Sequence, residues 1–277
     1  MNLLSSASVF SFFTLISRIL GYLRDILIAI FLGASIFADA FFVAFRLPNT
    51  FRRLFSEGTF NAAFIPSYTS AKVEDKKKGK KFADDILSSL IIILFFIVTL
   101  VEIFTPYLIY IIAPGFLDDQ IKFNLVVELT RITFPFLLFV SLSSFFAGIL
   151  NSNNKFAAAA AAPIILNIIL IVSLILSYKL GLDYTRLLSY GVTLAGIIQL
   201  LFLIYVTKKY YKPTFNFSLK LSSKVKFFFK KLLPSILSSG VTQINILVGT
   251  IIASFQSGAV SYLYYADRVY QINLAIA

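Results

Sequence analysis

DAFFVAFRLPNTFRRLFSEG, Asp39 to Gly58, is apolar enough to enter a membrane yet carries Asp39, Arg46, Arg52, Arg53 and Glu57. At about 100° per residue, Asp39, Arg46 and Arg53 share one stripe of a helix. Arg53 and Glu57 are spaced to pair, though in the weaker of the two orders. Pro48 lacks an N–H and is expected to kink the helix where it stands. A membrane helix with such a stripe must turn it away from lipid.

The rest of the chain confirms that lipid is the solvent. Hydrophobic residues make up 58% and the mean hydropathy is +0.87. Apolar runs of about 20 residues recur, each long enough to cross roughly 30 Å of hydrocarbon as a helix. No ten-residue alternating pattern appears, which argues against a β-barrel. The expected fold is therefore an all-α integral membrane protein, a polytopic bundle with about eight spans. Cys and His are both absent. Thiolate nucleophiles, His bases, disulfides and nearly every zinc or haem site are thereby excluded.

The net charge of +12 is unevenly placed. Fifteen Lys fall in three regions, 72–81, 151–156 and 208–231, against three basic residues in the alternate loops: Lys122, Lys179 and Arg186. That is the positive-inside pattern, not a nucleic-acid footprint, and it puts the N-terminus in the cytoplasm. Anionic lipid headgroups are a secondary role for these Lys. No cleavable signal peptide is expected, since Arg18 is the first basic residue and no small-residue cleavage site follows.

Taken in order, spans are expected near 9–33, 36–65, 86–112, 126–150, 156–180, 185–205, 232–255 and from about 260. A charged cytoplasmic linker would join the second and third. Residues 1–206 then form a first six-helix lobe, 207–231 a Lys-rich cytoplasmic linker, and 232–277 the start of a second lobe. The sequence stops at Ala277 inside an apolar run, so a truncated eighth span is expected. Span one holds fourteen Leu, Ile and Phe between Phe10 and Leu32. They favour insertion by about 4 to 8 kcal/mol, while Arg18, Arg24 and Asp25 oppose it by about 8 to 10 kcal/mol. Span one is marginal alone and is expected to line a cavity. In span seven Ser235, Ser239, Thr242, Gly249 and Thr250 follow a helical repeat and could line a water path or bind neighbouring helices.

Six Arg (18, 24, 46, 52, 53 and 268) outnumber four acids (Asp25, Asp39, Glu57 and Asp267) in the spans. A site built from them is net positive, and the Arg fork suits phosphate. The plainer reading is a set of internal salt bridges that hold helices in register. Asp39 and Glu57 are the best candidates for structural partners, and Arg18, Arg24, Arg52 and Arg268 for ligand contact.

Four runs carry a resemblance: SRILGYLRD (Ser17 to Asp25), ADAFFVAFRLPNTFRRLFSEGTFNAAFIP (Ala38 to Pro66), APGF (Ala113 to Phe116) and SYLYYADRVYQ (Ser261 to Gln271). Together they resemble the MurJ/MviN family, the bacterial lipid II flippases of the multidrug/oligosaccharidyl-lipid/polysaccharide exporter superfamily. The resemblance implies fourteen helices in a two-lobed alternating-access exporter, of which this chain supplies the first lobe, the linker and the beginning of the second. It implies movement of the undecaprenyl-diphosphate-linked peptidoglycan precursor from the inner to the outer leaflet of the bacterial inner membrane. Substrate-binding positions implied are Arg18, Arg24, Arg52, Arg53 and Arg268. Ser17, Gly21, Asp25, Asp39, Arg46, Pro48, Glu57 and Asp267 would support or gate, with Ser17, Gly21 and Pro48 giving flexure. Gln271 stands where familiar members carry Glu, and Arg46 where others carry Lys. The expected partners are lipid II and membrane lipids, with no nucleic acid, cofactor or metal, and the expected state is a monomer.

Two other classes remain in view. A drug or cation exporter of the same superfamily should offer acidic or aromatic cavity groups, against which the excess of Arg speaks. A membrane enzyme acting on polyprenyl phosphates needs convergent carboxylates. The pairs Glu74/Asp75, Asp84/Asp85 and Asp118/Asp119 sit in loops or at span ends and read as solvated charge.

Overall fold

The computed structural model describes residues 3–56, 59–214 and 223–276. Glu57 lies outside them, as do the side chains of Arg53, Ser235, Ser239 and Thr242. The described residues form ten helices and no strand: α1 (Leu3–Leu32), α2 (Ile36–Ser56), α3 (Thr59–Glu74), α4 (Lys76–Ile112), α5 (Gln120–Thr133), α6 (Phe136–Ser152), α7 (Phe156–Leu180), α8 (Tyr184–Thr207), α9 (Ser223–Ser254) and α10 (Ala259–Ile276). A 3-10 turn, Pro114–Asp118, joins α4 to α5.

The Asp39 stretch is the axis of the assembly. α2 packs against α5, α6 and α8 on one side and α9 and α10 on the other, with α1 and α3 at its ends. From Ala38 to Thr50 every residue is buried except Arg46 and Asn49. A helix enclosed by protein all round can hold charge at membrane depth, because protein donors replace water there. Four helical stretches, 76–112, 120–152, 156–180 and 184–207, are long and apolar enough to cross a membrane. α1 and α2 interrupt their apolar runs with charge.

Prolines set the breaks, though not all where the sequence suggests. α2 runs through Pro48 as one helix. The carbonyl that Pro48 leaves unbonded is that of Ala44, and Thr133 Oγ1 of α5 donates to it at 3.0 Å. The kink falls in α4 instead, at Phe104 (φ −98°, ψ 15°), two residues before Pro106. There Thr105 Oγ1 donates to the Val101 carbonyl at 2.7 Å and to that of Glu102, which Pro106 leaves without its helical N–H, at 3.2 Å. Pro135 divides α5 from α6 through a tight turn in which Leu137 and Leu138 donate back three residues.

Three segments differ from the sequence expectation. The second span, expected to end near residue 65, is helical over Ile36–Ser56 and again from Thr59, and its helix runs on to Glu74. α3 begins at Thr59 and packs on α4, α6 and α9. The expected linker between spans two and three is helical up to a sharp turn at Asp75. There the Asp75 carboxylate caps α4 by accepting from the Lys77 N–H at 2.8 Å. Gly79 fits that turn because a Cβ would lie 2.8 Å from Lys72 Cα. Finally, residues 223–231 of the Lys-rich segment are the first turns of α9. Val225, Phe228 and Leu232 are buried at helical spacing, and the Phe228 ring meets Phe60, Phe64 and Phe82 at 5.6 to 6.3 Å.

The bundle has two chemically distinct ends. Lys72 Nζ donates to Asn153 Oδ1 at 2.7 Å and Lys80 Nζ to Thr214 Oγ1 at 2.7 Å, so the three Lys-rich regions meet at one end. Asp84 pins the chain leaving α8 there, accepting from Tyr211 Oη at 2.6 Å and from Thr214 N at 3.1 Å. At the far end the α1–α2 turn, the 3-10 turn and the α9–α10 turn come together. Gly115 N donates to Ser254 Oγ at 3.0 Å, and Tyr265 Oη to the Gly33 carbonyl at 2.8 Å. A Cβ on Gly115 would sit 2.4 Å from the Ser254 carbonyl oxygen, which leaves room for glycine alone.

Candidate functional site

α1, α7 and α10 converge on the Asp25 carboxylate. Arg24 Nε and Nη2 donate to Asp25 Oδ1 at 2.9 and 2.6 Å. Arg24 Nη1 donates to Asn167 Oδ1 of α7 at 2.8 Å. The Asn167 amide turns its N–H to the Ser17 carbonyl at 2.9 Å, and Gly21 leaves it space on α1. From α10, Arg268 Nε forms an ion pair with Asp25 Oδ2 at 3.1 Å. Tyr264 Oη donates to Asp25 Oδ1 at 3.1 Å and accepts from Arg268 Nη2 at 3.1 Å. One carboxylate thus holds two guanidiniums, from helices more than two hundred residues apart, and the cluster stays net positive. Arg24 is buried, while the Arg268 side chain keeps 21% exposure.

Beside the cluster lies a small pocket of about 40 Å³ between α2, α9 and α10. Arg46, Asn49, Gln243, Asp267 and Arg268 supply its polar wall, and Phe42 stacks on Tyr264 with ring centroids 3.9 Å apart. Its volume holds about two or three waters. Gln271 bridges the rim: its carbonyl accepts from Arg268 Nη1 at 3.0 Å, and its amide donates to Asp267 Oδ2 at 2.6 Å. A carboxylate at position 271 could accept from Arg268 but could not donate to Asp267.

Asp39 and Arg46 of the α2 stripe point at α9 and α10. Arg46 Nη1 donates to the Ile246 carbonyl at 3.1 Å and to Thr250 Oγ1. Asp39 is fully buried and accepts from four donors: Lys122 Nζ at 2.7 Å, Gly258 N at 2.8 Å, Ser261 N at 2.9 Å and Ser261 Oγ at 2.6 Å. It therefore caps the N-terminus of α10, where the helix dipole favours a negative charge, and pairs with a cation as well. Lys122 completes its surroundings with the Phe116 ring, 3.8 Å from Nζ to the centroid.

Of the arginines singled out in the sequence, the structure brings together Arg24 and Arg268, with Arg46 on the other wall of the pocket. Arg52 Nε donates to Asn49 Oδ1 at 2.9 Å, one turn beyond that wall. Arg18 is exposed on α1. Three residues that complete these sites escaped the sequence reading. Lys122 looked like a loop cation, Tyr264 one aromatic among many, and Asn167 a lone amide in an apolar helix. Asn167 did carry a signal, since an amide at membrane depth needs a partner.

Comparison with known proteins identifies the family and the fold. The family model described as lipid II flippase MurJ matches residues 28–277. A probable lipid II flippase MurJ of Rickettsia prowazekii is 39% identical over 279 residues, covering 100% of this chain and 54% of its own length. Another, from Rhizobium meliloti, is 40% identical over 269 residues, covering 95% and 50%. The chain thus spans about half the length of the curated relatives it matches. A solved structure described as lipid II flippase MurJ in an inward closed conformation superposes with a TM-score of 0.81 at 31% identity, over 95% of this chain and 54% of that one. A structure described as MATE in complex with MaD3S superposes at 0.68 with 17% identity, over 95% and 60%, a likeness of fold alone. The fold is that of a polytopic helical exporter, and the chain belongs to the lipid II flippase MurJ family.

Proposed function

We propose that the full-length protein is a transporter, not an enzyme, and that it moves lipid II from the inner to the outer leaflet of the bacterial inner membrane by alternating access. In this reading residues 1–206 form the first lobe, 207–231 the cytoplasmic linker and 232–277 the opening of the second lobe. The N-terminus and the Lys-rich end face the cytoplasm. The observation that carries the proposal is the sharing of Asp25 by Arg24 of α1 and Arg268 of α10.

Two cations held by one carboxylate leave a positive charge unneutralised at the seam of the lobes. A diphosphate offers more charge and more acceptors than Asp25, in a geometry suited to the guanidinium fork. It would take over Arg268 and release α10 from α1. Binding and lobe movement are then one event, because the ligand replaces the interlobe contact. A pocket of about 40 Å³ is too small for a diphosphate, so α10 has to move away from α2 to admit one. Arg46, Arg52, Arg53 and Arg18 would extend the basic path along α2 and α1, with the sugars in water and the prenyl chain in lipid.

Complementation tests this reading. The full-length gene is expressed in bacteria depleted of their own lipid II flippase, beside Arg24→Ala, Arg268→Ala and Arg18→Ala. Wild type should restore growth and the first two variants, at equal membrane levels, should not. Arg24→Lys keeps the charge but loses the fork and should impair growth more than Lys78→Ala. Rescue by both Arg24→Ala and Arg268→Ala would return these arginines to a purely structural role. Failure of a well-inserted wild type would favour another lipid-linked oligosaccharide or a drug as cargo.

A further inference from the structure

On the outer surface of α5, α7 and α8 runs a groove of about 560 Å³ that transport, as proposed, does not use. Val172 and Leu176 wall it on α7, Leu187 and Leu194 on α8, and Gly191 forms its floor. There α7 and α8 touch so closely that a Cβ on Gly191 would lie 2.5 Å from Ser173 Oγ. The lining is almost wholly apolar, so water gains little there. All three helices lie in apolar membrane-crossing stretches, so lipid is what surrounds the groove.

Its dimensions match one leaflet. Along α8 the lining runs from Leu187 to Ile197. That is about 15 Å at 1.5 Å per residue, starting about 5 Å below the helix end. Half of a hydrocarbon core of roughly 30 Å is also about 15 Å. The leaflet concerned is the one at the far end, opposite the Lys-rich turns.

Charge gathers at the mouth. Arg186 donates to both oxygens of Glu128, at 2.7 and 3.0 Å, and its Nη1 lies 3.6 Å from Asp183 Oδ2. All three side chains are at least one-third exposed, and Tyr190, one turn along α8, borders both Arg186 and the groove. Burial opposes the charge of Asp183, but bonds from Thr185 and Arg186 outweigh it and hold this carboxyl below the ordinary carboxylate range. The mouth therefore presents one cation flanked by two anions at headgroup depth.

We infer that the groove binds one acyl chain of a zwitterionic phospholipid of the far leaflet, with its phosphate at Arg186 and its ammonium at Glu128 and Asp183. An ethanolamine headgroup fits both signs of the mouth, whereas a glycerol headgroup answers only the Arg. The lipid would seal the α7–α8 seam during movement of the lobes.

Residues 1–277 contain no Trp, so one introduced Trp reports on its own surroundings. Any Trp beyond them in the full-length protein is changed to Phe. Tyr190→Trp places the reporter at the mouth, and Ile175→Trp places it on the exposed outer face of α7 at similar depth. The protein is reconstituted in phosphatidylglycerol vesicles and titrated with acyl-dibrominated phosphatidylethanolamine, which quenches Trp on contact. Half-maximal quenching of Tyr190→Trp should need at least threefold less brominated lipid than Ile175→Trp. Adding Arg186→Gln or the groove-filling Leu194→Phe should bring the curves together. Leu187→Trp, one turn from Tyr190 on the α8 wall, should rank as Tyr190→Trp does, which guards against a local fault in either variant. Coincident curves for all three reporters would overturn the inference, since the groove would then be ordinary boundary lipid. Absence of quenching at Tyr190→Trp and Leu187→Trp would overturn it too, because protein would cover the site. Neither result depends on what the transporter carries.

Discussion

Asp39 and Asp25 are both buried acids in membrane helices, yet their surroundings set them different tasks. Asp39 has four donors and no contact with the pocket, so it holds the fold. Asp25 is shared by two arginines, one of which lines the pocket, so in the proposed function it is the contact a ligand would exchange. Removing one member of a buried ion pair destabilises by about 3 to 5 kcal/mol, because the other is left without a counter-charge. Asp39→Asn and Lys122→Met should each lower the melting temperature of the purified protein, Asp39→Asn the more, since it also uncaps α10. The double variant should cost clearly less than the sum; strict additivity would mean that the two side chains do not act as a pair. The need for partners was legible, because an unpaired charge at membrane depth is costly wherever it occurs. Their identity was not. Lys122, Asn167 and Tyr264 come from positions 83, 143 and 239 residues away from Asp39, Arg24 and Asp25, and no spacing rule reaches that far.

At the scale of helices, a proline's effect depends on what stands opposite its orphaned carbonyl. Thr133 answers Ala44 across the α2–α5 contact and α2 continues, whereas α4 bends at Phe104 although Thr105 supplies a local hydroxyl. Thr133→Val should therefore destabilise the protein by about 1 kcal/mol, the usual worth of such a bond. In a Pro48→Ala background, residue 48 regains its N–H and can serve Ala44 from within the helix. The same Thr133→Val change should then cost only a few tenths of that. Thermal melts of the four proteins decide it, and equal costs in both backgrounds would deny the compensation. Helix extents over 156–180 and 184–207 were readable because their apolar runs end at Gly181 and in the Lys of 208–212. The start of α9 was hidden by composition: Lys draws the eye to solvent, while Val225, Phe228 and Leu232 among them carry the buried repeat.

Across the whole molecule, charge placed the loops well. Regions grouped on basic residues alone do meet at one end through Lys72–Asn153 and Lys80–Thr214. What charge could not show is that the opposite end is shut by backbone contacts, since glycines at positions 33, 115 and 258 have no side chain to advertise them. A Cβ on Gly258 would lie 3.1 Å from the Ala34 carbonyl oxygen. The sequence contains no Cys, so Ala34→Cys with Ser257→Cys, the exposed neighbour of Gly258, gives a cross-linking pair, with any Cys beyond residue 277 replaced. A bis-methanethiosulfonate linker should abolish lipid II movement by the full-length protein, and a reductant should restore it. Continued transport by fully cross-linked protein would show that this end need not open.

The Asp39 site also imposes an order in time. Its donors lie 83 residues away at Lys122 and 222 away at Ser261. At about 5 to 20 residues per second of synthesis, Lys122 arrives roughly 4 to 17 s after Asp39, and Ser261 roughly 10 to 45 s after it. Until then α2 waits in the bilayer with its carboxylate first bare and then only half satisfied. Lys122 is thus the first partner to reach Asp39, so the acid is charge-paired before the α10 donors that complete its surroundings are synthesised.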